Sequence, residues 1–301
     1  MTGTNSIDFF LVGAARCGTT SLYENLNLHP QIFLPPVKEP NYFSDVESPR
    51  FDDYEPPEDG KPYHTKIINS SEVYDGLYKG ALPNQLKGDT SPSYLWDLNS
   101  AKRIFEHNPK ARILISLRNP AQRAFSHYIM NYFTGSDESS SFEKALKAPE
   151  NPMWGGCNLY LDMSRYYHQV KEYYDLFPKE QIMIILYEDY ISDIEGEMER
   201  IYKFLGIDHS DLMIETERKN EIKTIKNLKL LNLFRKNWLR KPLSRLISQE
   251  RIEAIKRRFF ESDKPKDSLS KEMEHELMKE FQDDVLQLSN LIGLDLNKKW
   301  N

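Results

Sequence analysis

Eight residues near the start of the chain, Gly13-Ala14-Ala15-Arg16-Cys17-Gly18-Thr19-Thr20, carry the spacing G-x-x-x-x-G-x-[ST]. With that spacing, backbone N–H groups converge on phosphate oxygens. Thr19 stands where a nucleoside triphosphatase has the lysine that reaches the β- and γ-phosphates. The loop therefore suits a nucleotide with no γ-phosphate to transfer. A second set lies far downstream, where Arg118 is followed on the next helix by Ser126. A guanidinium fork matches phosphate oxygens, and a hydroxyl adds one more donor. Alone, the loop could be an ordinary βα turn and Arg118 a structural ion pair. A ligand with two separated phosphate groups accounts for both.

These residues need particular elements to hold them. Phe9–Val12 is a short continuous apolar run, as in a buried parallel strand, and Thr19–Leu28 reads as the helix after the loop. Strand, glycine loop and helix point N–H groups and a helix N-terminus at an anion. Ile113–Leu117 and Ile182–Leu186 are further strand candidates. Helical segments are expected at Ser100–His107, Ala121–Tyr132, Tyr160–Leu176 and Glu195–Leu205. Pro120 fits the first turn of its helix. Strands alternating with helices predict an α/β, P-loop-type three-layer fold with a central parallel sheet flanked by helices. Arg118 then falls at a strand C-terminus, the edge where ligands sit in such sheets. Pro49–Pro62 and Asp137–Ser141 read as exposed loops.

The 301 residues are 39% hydrophobic and 29% charged, the composition of a polar-surfaced globular protein. A net charge of -6 gives no support to nucleic-acid binding. Two cysteines, Cys17 and Cys157, are too few for a disulfide framework. No signal peptide or membrane-spanning run is read, so a cytoplasmic location is expected.

The C-terminal region changes character. Lys223–Arg258 is rich in Lys and Arg, with Glu250 and Glu253 its only acids, and leucines are interleaved. Pro242 breaks any single helix there. A solvated helix pair, a basic lid over an anionic ligand and a contact with an anionic membrane all fit this pattern. A last helix is expected over about Ser270–Leu291, with Gly293 as its C-cap. The expected organisation is one domain, 1–301, with an α/β core over 5–222 and a basic helical extension over 223–301.

The ordered set of motifs resembles the sulfotransferases that use PAPS (3′-phosphoadenosine 5′-phosphosulfate), above all the bacterial and heparan-sulfate or other glycan-type members. Gly13–Leu22 followed by His29-Pro30 is similar to their 5′-phosphosulfate loop. Lys38-Glu39-Pro40-Asn41-Tyr42-Phe43 resembles the segment that brings an acid to the acceptor, and Gly88–Leu95 the acidic-x-Ser-Pro-x-Tyr stretch. Arg118 and Ser126 match the 3′-phosphate pair. Leu186–Asp189, Phe204-Leu205-Gly206 and Gly293–Leu296 with Trp300 also look like family landmarks.

The resemblance implies direct in-line transfer of a sulfuryl group from PAPS to a hydroxyl or amine of a carbohydrate, glycolipid or related acceptor. PAP is the product, and no metal is needed. Glu39 is then the candidate base; His29, His107, His127 and His168 lack the context of a catalytic histidine. Arg16 replaces the lysine common at its position. Arginine does not release its proton, so Arg16 either stabilises the leaving phosphate or binds it in the ground state. The implied donor-binding set is Arg16, Cys17, Gly18, Thr19, Thr20, Ser21, Arg118, Ser126 and Tyr166. Cys17 reads as a small loop residue rather than a nucleophile, and Asp89, Glu188 and Asp189 lack metal-ligand spacing. A late basic segment between Arg218 and Lys226 is the counterpart of a lid, without its usual pattern. Tyr42, Tyr94, Trp96 and Trp154 fit either sugar stacking or packing. Two alternatives stay open: a small non-sugar acceptor, or a PAP-binding protein with no transferase activity.

Overall fold

The computed structural model describes residues 6–46, 63–64, 68–134, 136–207, 224–225, 261–262 and 268–300. The chain runs β1 (Phe9–Gly13), α1 (Thr19–Leu28), β2 (Ile32–Phe33), β3 (Val37–Lys38), β4 (Tyr63–His64), α2 (Ser71–Gly76), β5 (Leu86–Thr90), α3 (Ser93–Trp96), α4 (Leu98–His107), β6 (Arg112–Leu117), α5 (Pro120–Thr134), α6 (Phe142–Ala145), α7 (Tyr166–Leu176), β7 (Ile182–Leu186), α8 (Tyr187–Ser192), α9 (Ile194–Leu205), β8 (Thr224–Ile225), β9 (Glu261–Ser262), α10 (Lys271–Glu280), α11 (Gln282–Ile292) and α12 (Leu296–Trp300). The main sheet is parallel with the order β2-β5-β1-β6-β7.

That order decides where a ligand sits. From β1 the chain turns towards the edge strand β2; from β6 it turns the other way, to β7. Adjacent strands whose exits diverge leave a crevice at their C-terminal ends. Gly13 ends β1 and Leu117 ends β6, so the loop and Arg118 flank one crevice.

β1 is buried along its whole length, and its side chains alternate between two cores. Phe10 and Val12 join Ile113, Ile115, Leu117 and residues of α4, α5, α7, α10 and α11. Phe9 and Leu11 join Leu22 and Leu26 of α1 and Met198, Ile201 and Leu205 of α9 on the other face. Helices thus cover both faces of the sheet, the α/β three-layer architecture expected.

Three elements depart from expectation. The helix expected over Tyr160–Leu176 begins only at Tyr166; Asp162–Ser164 is a separate 3-10 turn. Asp284 of α11 takes the N–H groups of Tyr166 (2.8 Å) and Tyr167 (3.1 Å), fixing the helix start from outside. The helix expected over Ser270–Leu291 divides at Phe281 into α10 and α11, and Gly293 caps the second in the left-handed conformation (φ 73°). Asp137, expected in an exposed loop, is buried and accepts the Tyr160 hydroxyl at 2.7 Å. Pro49–Pro62, the Arg218–Lys226 lid segment, the basic stretch Lys223–Arg258 and the expected boundary near residue 222 lie outside the described residues, apart from the backbone of 224–225. Among the described residues no helix is long and apolar enough to cross a membrane.

Candidate active site

The loop leaves β1 at Gly13, where an added Cβ would lie 2.6 Å from the Leu95 Cβ. It enters α1 at Gly18 (φ 82°), where a Cβ would meet the Tyr187 ring at 2.9 Å. Glycine is required at both places by close approach and by backbone conformation. Several loop carbonyls are already bonded. Ser116 Oγ donates to Cys17 O at 2.6 Å, Cys17 N to Ala14 O at 3.2 Å and Arg123 to Ala15 O at 3.4 Å. No side chain caps α1, and the N–H groups of its first turn (Thr19, Thr20, Ser21) have no helix carbonyl to reach. The loop therefore presents donors to an anion.

One side of the crevice is cationic. Arg16 reaches Ser126 Oγ from Nε and Nη2, each at 3.4 Å, and Met130 Sδ at 3.5 Å. Burial, then the charges of Arg118 and Arg123, lower Arg16 to about 10, so it stays charged at neutral pH. The Arg118 guanidinium lies 4.7 Å from the centroid of the Tyr187 ring. Arg123 is fully buried, with Ser164 Oγ and Tyr160 O as acceptors, both at 2.7 Å. Among the described residues none of the three guanidiniums is paired with a carboxylate.

The other side holds the acids. Glu39 is buried, and its Oε1 accepts Lys38 Nζ at 3.0 Å. The same ammonium donates to Thr20 Oγ1 at 3.0 Å and lies over the Tyr23 ring. Glu39 (φ 59°) and Asn41 (φ 54°) are both left-handed, as is Arg16 (φ 73°) in the loop. Each such non-glycine residue costs on the order of 1–3 kcal/mol and persists only where its surroundings hold it. Asn41 does this for the Glu39 turn: its Nδ2 donates to Glu39 O at 2.6 Å, its N–H to Ser91 Oγ, and its Oδ1 accepts Ser93 Oγ. Behind it, Asp89 is fully buried and accepts the hydroxyls of Tyr74 (2.8 Å), Tyr94 (2.8 Å) and Ser91 (2.7 Å). Burial pushes Asp89 up to about 6 against those three donors, and the Glu39 charge adds to the rise.

The structure thus brings Arg16, Gly18, Thr19, Thr20, Ser21, Arg118, Ser126 and Glu39 around one crevice. Arg16 points along it towards Ser126, the hydroxyl expected at the far phosphate. The Ser21 hydroxyl is engaged by Tyr190 at 2.8 Å. Cys17 and Tyr166 lie behind the loop. Both are fully buried and 3.6 Å apart, and the Tyr166 hydroxyl donates to Arg118 O at 3.0 Å. Burial lifts the Cys17 thiol to about 11, so it is not a thiolate nucleophile. His127, buried beside Arg123 and Arg16, is held well below its usual value and is neutral. Glu188 accepts Asn119 N at 2.9 Å and the Trp300 indole at 3.2 Å, while Asp189 takes Lys299. Tyr94 and Trp154 are packed inside, and Tyr42 stacks on Tyr74 at 4.2 Å.

Sequence reasoning misses three side chains. Lys38 has no role of its own in the motif reading, yet it is buried and joins Glu39 to the loop. The missing lysine at position 19 is the signal available for it. Arg123 carries no spacing signal and is reached by packing from α5; Tyr187 falls in the Leu186–Asp189 landmark, but its place against Gly18 and Arg118 depends on α8 following β7.

Comparison with known proteins follows the same lines. Residues 6–292 match the family described as the sulfotransferase domain. Over 250 residues, 66% of this chain, it is 24% identical to human (Homo sapiens) carbohydrate sulfotransferase 15, covering 43% of that protein. It is 26% identical over 201 residues, 65% of this chain, to mouse (Mus musculus) heparan sulfate glucosamine 3-O-sulfotransferase 6, covering 51% of that protein. The chain therefore spans about half the length of these curated relatives. A crystal structure of a sulfotransferase from Alicyclobacillus acidocaldarius superposes with a TM-score of 0.71 at 28% identity, over 98% of this chain and 99% of that one.

Proposed function

This chain belongs to the sulfotransferase family, and from that premise we propose that it moves a sulfuryl group from PAPS to a hydroxyl or amine of a carbohydrate, glycolipid or related acceptor. The observation that carries this reading is the group of three guanidiniums with no carboxylate partner among the described residues, beside a loop of open N–H groups. Arg123 is fully buried and Arg16 and Arg118 are half-buried; partly desolvated positive charge of this kind calls for an anion, and a nucleotide with separate 3′ and 5′ groups supplies two. Arg118 and Ser126 take the 3′-phosphate; the loop and Thr20 take the 5′ end.

The chemistry then divides by side. Glu39 accepts the acceptor's proton as the acceptor oxygen or nitrogen forms its bond to sulfur. The bond from sulfur to the bridging oxygen breaks, and its electron pair leaves with the 5′-phosphate of PAP. Negative charge growing there is met by the N–H groups at the start of α1, with the positive charge of Arg16, whose side chain reaches towards Ser126, acting from further off. The acceptor class rests on likeness to relatives named for carbohydrate and heparan sulfate substrates.

The deciding experiment incubates the purified chain with PAPS and a panel of glycan acceptors and follows the mass gain of one SO3 unit. Transfer, together with PAP binding tighter than ATP–magnesium, supports the reading. Equal or tighter ATP–magnesium binding overturns it, and PAP binding with no transfer to any acceptor favours a nucleotide-binding protein without activity.

A further inference from the structure

Lys38 has a place in the site that neither its sequence position nor the two-phosphate reading assigns. The loop lacks a lysine at position 19, and the cation expected at the transferring group, Arg16, is directed towards Ser126 and Met130 instead. The Thr20 end of the loop is served from another element. Lys38 ends β3, which pairs through its backbone with β4. Its side chain is only 5% exposed, and its ammonium stands 3.0 Å from Thr20 Oγ1 and 3.0 Å from Glu39 Oε1. An ammonium has three donors, and among the described residues two have acceptors here. Because Thr20 accepts from Lys38, its own hydroxyl proton remains to be donated to a ligand.

We propose that Lys38 supplies from β3 the cation that the loop lacks, meeting the sulfonate of PAPS beside Thr20 while holding Glu39 at the acceptor. This rests on the PAPS reading above. The cations then have separate roles. Arg118 and Ser126 hold the part that PAP retains, and Lys38 holds the part that PAP has lost. Lys38 touches the reacting group and is therefore a catalytic residue, not only a support for Glu39. The geometry has one further result. The ammonium that meets the sulfonate also contacts the base, so donor and acceptor are aligned through one nitrogen.

The test compares PAPS with PAP, which differ by the sulfonate alone. Binding of each is measured by calorimetry in the absence of acceptor, on the wild type, Lys38→Met and Lys38→Arg. Lys38→Met is expected to weaken PAPS by roughly tenfold more than PAP, with Lys38→Arg recovering part of the difference. A residue that only supported the fold would move both nucleotides together. Because Lys38→Met leaves Glu39 buried without its partner, the double variant Lys38→Met/Glu39→Gln is measured as well. It removes the stranded charge, and the same PAPS-selective loss is expected. If the wild type binds both nucleotides and these variants weaken them equally or not at all, the assignment of Lys38 is overturned while the PAPS reading stands. If the wild type binds neither, the PAPS reading itself fails, and this assignment with it.

Discussion

Arg16, Arg118 and Arg123 have hydroxyls, carbonyls and an aromatic face for company, whereas Glu39 and Asp89 on the far side of the loop are already matched, one by an ammonium and the other by three hydroxyls. Arg123 already has acceptors for its guanidinium, while Arg16 and Arg118 keep donors for an anion; the acids opposite have their partners in place. Affinity for the donor should reside mainly on the cationic side and turnover on the acidic side. The acidic side also carries two of the left-handed non-glycine residues, Glu39 and Asn41. Backbone strain held in place by surrounding bonds keeps a reacting group in one position before substrate arrives.

The largest effect expected is on turnover. Glu39→Gln should lower kcat by about 10²–10⁴-fold, the usual worth of a positioned base, while PAP binds as it does to the wild type. A loss of PAP affinity in step with kcat would break the division between the two sides. Arg118→Ala attacks the other side. It should weaken PAP by roughly tenfold or more, the scale of a lost charge-assisted bond, and leave AMP, which lacks the 3′-phosphate, almost unaffected. Equal weakening of PAP and AMP would show that Arg118 does not read the 3′ group.

A third effect is one of stability. Asp89 is raised from an ordinary 3.8 to about 6 in the folded chain, so the folded state holds this proton more tightly than the unfolded state does. The stabilisation from protonated Asp89 is fully present below the unfolded value and is lost as pH rises through about 6. The difference is on the order of 3 kcal/mol at about 1.36 kcal/mol per unit. Thermal unfolding of the wild type and Asp89→Asn at about pH 4 and about pH 7 should show this extra decline with rising pH in the wild type only. Parallel pH profiles would mean that the three hydroxyls compensate the buried charge fully.

The parts of the fold that are legible in the sequence follow one rule. β1 and β7 are continuous apolar runs, and β6 nearly so but for Arg112 and Ser116, because both faces of a parallel sheet are covered, and α1 follows its glycine loop. β5, Leu-Lys-Gly-Asp-Thr, breaks that rule although it is central. Its Gly88 is small because Phe9 occupies the space a Cβ would take, at 2.2 Å, and its Asp89 is an acid placed in the core. A strand that carries site chemistry loses the apolar pattern by which strands are read. The helix start at Tyr166 escapes the sequence for a related reason. The boundary is set by Asp284, 118 residues away, and no local signal reports such a cap. In the site, Arg118, Ser126 and Glu39 are legible as motif positions. Lys38 is hidden because its meaning depends on a contact with Thr20 across 18 residues.

The contact between Asn119 and Trp300 bears on the order in which the protein is made. Asn119 Nδ2 donates to the Trp300 carbonyl at 2.9 Å across 181 residues, and Glu188 takes both the Asn119 N–H and the Trp300 indole. On a ribosome, β1, the loop and β6 emerge long before Trp300 does. Until it arrives, the side chain of the residue next to Arg118 lacks one of its two long-range anchors, and Glu188 lacks the indole that it also holds. Nascent chains arrested before residue 300 should therefore hold the loop half of the crevice earlier than the Arg118 half, a prediction that limited proteolysis of arrested chains, with and without PAP, can check.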